Sequence, residues 1–258
     1  MVMPMLTRRE TILGGALTLL WCNCGCGAHA QPVRPRGEGC TLDPQQAEAF
    51  LATATEPQAF DHGNEKLIAS TGNPDFDYGL AQTLSRLTDV YSVLPGFSFF
   101  DDYDGENAYA TPAKRLQRAD GTVLFGKRYF LHAMEITESP EVGVIATCAH
   151  EFGHIVQYKH NLQKRLTEGQ PTVKRLELCA DFFAGYFAGA RKLEKPNFPA
   201  AVFAANRYAH GDHHNRRSHH GTPEERAAAI VRGFETCHSE RRSFADAIGL
   251  GVNYVERL

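Results

Sequence analysis

The chain has 258 residues, 43% of them hydrophobic, and a formal net charge of −3, which suffices for one good-sized core and argues against intrinsic disorder. No broad basic excess is present, so neither nucleic acid nor an anionic membrane surface is an expected partner.

The first thirty residues differ from the rest. Arg8-Arg9 precede the apolar run Thr11 to Trp21, and Ala28-His29-Ala30 offers a small-x-small cleavage site before Gln31, the pattern of a signal peptide over residues 1–30. The run is shorter than the about 20 apolar residues a spanning helix needs. No later stretch spans either, so no transmembrane segment is expected in the mature chain. Thr7-Arg8-Arg9 ahead of the moderately apolar Ile12 to Leu17 resembles a twin-arginine signal, which points to export into a bacterial periplasm or beyond. An ordinary secretory signal is the alternative, and acylation of Cys22, Cys24 or Cys26 a third. Cleavage after Ala30 leaves Cys40, Cys148, Cys179 and Cys237, free to form disulfides in several pairings or to stay as buried thiols.

Residues 31 to 39 read as a leader rich in proline, arginine and glycine. Asp43, Pro44 and Gln46 then carry a helix-start signature ahead of Ala47 to Leu51. Phe76, Leu80, Leu84, Leu87 and Tyr91, apolar at three-to-four-residue spacing, predict a second helix that stops before Pro95-Gly96. Residues 31–94 thus form an amino-terminal part, with a core over 95–258.

Between 97 and 132, aromatic and β-branched runs (Phe97 to Phe100, Ala108 to Thr111, Thr122 to Phe125, Tyr129 to Leu131) alternate with the turn signals Asp104-Gly105 and Asp120-Gly121. They predict a small antiparallel sheet. Helical signals return with Ser139 as N-cap and Pro140 at the first position of an apolar segment reaching Tyr158. A further helix is expected from Thr172 to Glu194, ending before Pro196. Another starts at the capping box Thr222-Pro223-Glu224-Glu225 and runs to Cys237, after a His- and Arg-rich loop over 207–220. The fold class is α+β.

The chemistry concentrates in His150-Glu151-Phe152-Gly153-His154. An i, i+4 pair lies on one helix face and can present two imidazole nitrogens to one metal, while Glu151, about 100° round, can reach a water bound there. By chance the pattern arises roughly 0.04 times in a chain of this composition, and two histidines and a glutamate are costly inside an apolar helix without partners, which a metal supplies. A core histidine bonded to backbone explains one such residue but not two at ligand spacing. The third ligand is assigned to Glu177. It opens Glu177-Leu178-Cys179-Ala180-Asp181, which puts Asp181 on the same face to accept from a ligand histidine. His210, His213 and His214 lack such a pattern and read as polar loop rather than a second metal site.

HEFGH followed by ELCAD resembles the gluzincin metallopeptidases. Asn107-Ala108-Tyr109-Ala110-Thr111-Pro112, Gly121 to Phe125 and Ser218-His219-His220-Gly221-Thr222-Pro223-Glu224-Glu225-Arg226 look like segments of the CAAX-protease and HtpX relatives and of bacterial neutral zinc metallopeptidases. The resemblance covers roughly residues 95 to 235, and this chain departs from it in lacking membrane helices and in doubling the histidine at 219 and 220. It implies a zincin-like sheet packed on the active-site helix, one zinc per chain, and a polypeptide substrate. Hydrolysis would use Glu151 as general base and His220 as a second electrophile, with the substrate added to a sheet edge at 107–111 or 122–125. A zinc-stabilised binding or chaperone-like module is the alternative, and hydrolysis of a non-peptide amide or ester another.

Overall fold

Proline and side-chain caps punctuate the helices. The computed structural model describes residues 67–102, 105–135, 139–213 and 217–258. The expected signal peptide, the helix after Asp43, and Cys22, Cys24, Cys26, Cys40 and His214 lie outside these. After the short strand β1 (Leu67–Ile68), Asn73 accepts from the amides of Asp75 and Phe76 and Pro74 takes the first helical position, launching α1 (Pro74–Tyr91). The helix stops at Ser92, left-handed at φ 53°, whose N–H returns to Thr88.

Three further strands follow: β2 (Gly96–Phe100), β3 (Ala108–Thr111) and β4 (Thr122–Gly126). The sheet runs in the order β1-β2-β4-β3 and is mixed rather than antiparallel, because β2 pairs with β4 in parallel while β3 and β1 are antiparallel to their neighbours. Alternating hydrophobicity marks strands and faces but carries no direction. A second correction concerns the sheet margin. β4 is interior with both sides paired, so of the two segments expected to offer an edge only β3 does.

The predicted strand Tyr129 to Leu131 is instead part of helix α2 (Lys127–Glu135). Its start is capped from a distance: Asp102 accepts from the amides of Arg128 (2.7 Å) and Tyr129 (3.0 Å), and that cap overrides the β-propensity of the aromatic residues. Helix α3 (Pro140–Lys159) begins at Ser139 as expected, but Ser139 is left-handed at φ 51° and its side chain makes no capping bond. Then come α4 (Gln163–Thr167), α5 (Lys174–Glu194), α6 (Ala201–Ala209), α7 (Pro223–His238) and α8 (Phe244–Val255). The segment 207–220 is therefore not all loop, since α6 extends to Ala209. At α7 the capping box forms in full.

All described residues belong to one compact unit. Its core joins α1, α3, α5 and one face of the sheet, with Leu87, Tyr91, Val123, Phe125, Phe152, Ile155, Phe182 and Phe187 in a single buried cluster. Tyr91 Oη donates to the Phe183 carbonyl at 2.6 Å, tying α1 to α5. Helices α5 and α7 cross in backbone contact: a Cβ on Gly185 would stand 2.0 Å from the Ile230 carbonyl oxygen, and one on Gly233 would stand 1.8 Å from that of Phe182. Cys148, Cys179 and Cys237 are buried free thiols, so none of these three is cross-linked to another. No helix among the described residues is long and apolar enough to cross a membrane.

Candidate metal centre

Helix α3 is buried nearly all round, and polar side chains on it must find partners inside the protein. His150 directs Nδ1 to Asp181 Oδ1 at 2.7 Å, and His154 directs Nδ1 to Gln157 Oε1 at 2.9 Å. Gln157 is fixed in that orientation because its Nε2 donates to the Leu176 carbonyl at 2.8 Å. Each imidazole thus commits one nitrogen to an acceptor and turns Nε2 toward the same point. Helix α5 brings Glu177 to that point from across the core.

The donor set is tight. His150 Nε2 and His154 Nε2 are 3.1 Å apart, His150 Nε2 lies 3.3 Å from Glu177 Oε2, and His154 Nε2 lies 3.7 Å from Glu177 Oε1. Ligands about 2.0–2.1 Å from a tetrahedral zinc stand roughly 3.3–3.4 Å from one another, so the three donors have the spacing a small cation needs. His150, His154 and Glu177 form a fully buried group that can hold a metal ion. The histidine protonation fits as well: burial pushes His154 down to about 3 against the pull of Glu177, leaving a neutral ring whose Nε2 offers a lone pair.

The carboxylates are held by charges the sequence reading did not assign to the site. Arg226, on α7, donates through Nε to Asp181 Oδ2 at 2.7 Å and through Nη2 to Asp181 Oδ1 at 3.1 Å, and Nη2 stands 3.6 Å from Glu177 Oε2. Its Nη1 reaches the His210 carbonyl at 3.1 Å. Burial opposes ionisation of Asp181, yet Arg226 and His150 hold its carboxyl well below the usual range. Glu177 is likewise held low despite burial, by His220 and then His150 and His154. Two ionised carboxylates and a guanidinium in one interior pocket of side chains are expensive unless mutually compensated.

Glu151 has the opposite character. Neither of its carboxyl oxygens makes a hydrogen bond of normal geometry. Burial and the charge of Glu177 push its carboxyl well above the usual range, with Arg207, Arg226 and the Ala110 amide pulling the other way. Ala110 belongs to the margin strand β3, and its carbonyl accepts from Tyr158 Oη at 3.3 Å.

Of the doubled histidines, His220 is the one whose charge acts on Glu177, while that of His219 acts on Glu225. Asp212 clamps both, accepting from His219 Nδ1 at 2.6 Å and from the His220 amide at 3.0 Å, with His220 Nδ1 at 3.3 Å. His220 Nε2 is buried and has no partner. His210 is not a ligand: its Nδ1 faces the Asn206 carbonyl at 2.7 Å and its Nε2 the Tyr129 hydroxyl at 2.9 Å. His213 is exposed and joins no metal-holding group among the described residues.

The structure therefore brings together His150, Glu151, His154, Glu177, Asp181 and His220, all singled out in the sequence. Gln157, Arg207, Asp212 and Arg226 join them without having been assigned. One signal for Arg226 was available, since two buried carboxylates require a buried cation and α7 carries an arginine at the start of its apolar face. Compared with known proteins, the chain matches no family model, no curated protein and no solved structure.

Proposed function

We propose that the protein is a zinc-dependent endopeptidase of the gluzincin type, acting after export, with His150, His154 and Glu177 as ligands and Glu151 as general base. The observation that carries this reading is the pairing of a three-donor cation cage with an adjacent buried carboxyl that makes no hydrogen bond of normal geometry. A site that merely held a structural ion would have no need of such a carboxyl beside its ligands.

Zinc held by His150, His154 and Glu177 would supply a Lewis acid that lowers the pKa of a water from about 15.7 toward 7. Glu151 takes the proton from the attacking water and delivers it to the departing amine, a role suited to a carboxyl with a raised affinity for protons. Asp181 and Gln157 keep the ligand imidazoles in the tautomer that frees Nε2. Arg226 prevents Asp181 from rotating away. His220 Nε2 is the donor assigned to the oxygen that becomes negative in the transition state, with Asp212 orienting the ring from behind. The outer margin of β3, the strand beside Glu151, is assigned to receive the substrate backbone.

The test is zinc stoichiometry on the purified protein beside His150→Ala and Glu177→Ala, with casein cleavage in parallel. The reading requires one zinc per chain, lost in both variants, and cleavage abolished by a chelator. Full zinc retention in Glu177→Ala would remove Glu177 from the ligand set. Zinc without any hydrolysis would leave the binding-module alternative.

A further inference from the structure

Arg207 is fully buried, and beyond the pull of its charge on Glu151 the proposed chemistry gives it no role. Its guanidinium is held by neutral oxygens: Nε donates to Asn206 Oδ1 at 2.8 Å, and Nη2 donates to Thr147 Oγ1 at 2.9 Å and also to Asn206 Oδ1. Nη1 is buried with no partner. No carboxylate among the described residues lies within ion-pair distance of it. A guanidinium cannot shed its proton, and an unpaired charge in the interior is costly enough that native proteins pair it or bring a ligand to it.

Of the carboxyls round Arg207, Glu151 feels its charge but makes no ion pair with it. His210 is pushed down to about 3 by burial and the Arg207 charge. The neutral ring sits between the Asn206 carbonyl and the Tyr129 hydroxyl, which lies 3.3 Å from Thr147 Oγ1. These dipoles fix the guanidinium without neutralising it.

Its position relative to the centre follows from α3. Thr147 precedes Glu151 by four residues and shares its face, so Arg207 sits one helical turn toward the start of α3 from the proposed base. On the peptidase reading the departing amine takes its proton from Glu151, which puts the substrate residue just past the scissile bond beside Glu151, on the helix face that Thr147 shares. Setting the metal ligands aside, the orphaned buried side-chain atoms among the described residues fall on Glu151, His220 and Arg207. Arg207 thus belongs with the two groups proposed to meet the substrate.

We propose that Arg207 is a specificity-determining residue that receives a carboxylate carried by the substrate residue immediately after the scissile bond, either an acidic side chain or a free C-terminus. The inference rests on the peptidase reading.

The experiment compares kcat/KM of the zinc-loaded full chain on peptides Ala-Ala-Ala-Xaa-Ala-Ala capped at both ends, with Xaa Glu, Gln, Leu or Lys, and on Ala-Ala-Ala-Leu as free acid and as amide. A single charge-assisted bond predicts a preference of at least about ten-fold for the carboxylate-bearing member of one pair. Glu over Gln assigns the side chain, and free acid over amide assigns the terminus. In Arg207→Gln the preferred ratio falls to about one while zinc stoichiometry is unchanged; Arg207→Lys restores part of it. Equal rates within both pairs, or a preference that survives Arg207→Gln, overturns the proposal.

If zinc-loaded wild type cleaves none of these peptides, it is the peptidase reading that fails. Arg207 is then read by calorimetry on the chelator-treated protein with N-acetylglutamate amide. Millimolar binding lost in Arg207→Gln upholds the carboxylate site, and no binding by wild type refutes it.

Discussion

Arg226→Leu probes the buried charges where they are densest. The substitution removes two bonds to Asp181 and one to the His210 carbonyl while keeping an apolar side chain to limit the cavity. Removing one partner of a buried ion pair costs about 3–5 kcal/mol, and the lost carbonyl bond adds about 1 kcal/mol. Set against a total stability of roughly 5–15 kcal/mol, the variant freed of metal loses between about a quarter and all of its margin. Zinc at a hundred times its dissociation constant adds about 2.7 kcal/mol to a folded protein. The increment should be larger in the variant, because Glu177 and Asp181 have lost the cation that faced them. Urea unfolding followed by far-ultraviolet circular dichroism, with a chelator and then with zinc, reads both numbers. A chelated variant within about 1 kcal/mol of wild type, the scale of an exposed pair, or equal zinc increments in the two proteins, would refute the reasoning.

Glu151→Gln should lower hydrolysis by roughly 10²–10⁴-fold, the usual worth of a positioned base, while elemental analysis still finds one zinc per chain; residual activity near wild type would assign the base elsewhere. The chelated protein should lose stability as pH falls. His154 and His210 are both held to about 3, so between about 6.5 and that value the unfolded chain binds protons that the folded chain refuses. Their contribution is whole above about 6.5 and drains through the window at up to about 2.7 kcal/mol per pH unit for the pair. Urea melts from pH 7 to 4 that stay flat would contradict it. Gly233→Ala forces a Cβ to 1.8 Å from the Phe182 carbonyl oxygen and should cost about 3 kcal/mol or more, read as a lowered thermal midpoint; an unshifted midpoint would mean that α5 and α7 part easily.

What was legible in the sequence was local. The spacing of His150, His154, Glu177 and Asp181 is a helical repeat, and repeats survive folding unchanged. Proline and the capping box fixed the starts of α3 and α7. The misread elements depend on residues far away in the chain. Helix α2 is launched by Asp102, 26 residues before Arg128, so no window of sequence containing Tyr129 to Leu131 shows its cap. Strand direction escaped for a related reason: β2 and β4 are parallel because β3 takes the other side of β4, and that choice belongs to the assembled sheet. The charge partners of the site were equally hidden. Arg226 lies 45 residues from Asp181, and Arg207 lies 60 from Thr147. For Arg226 the need of two buried carboxylates for a cation was a sign, but nothing in the helix that carries Arg207 shows which interior group it will meet.

The notches at Gly185 and Gly233 bear on how the molecule moves. Two helices in backbone contact have no side-chain cushion across which to slide, so α5 and α7 open together or not at all. Glu177 and Asp181 ride on one and Arg226 on the other. The negative wall of the centre and its counter-charge therefore keep their separation through ordinary thermal fluctuation, and that separation is lost when the whole unit unfolds. Amide exchange in the crossing should be as slow as the global opening of the fold.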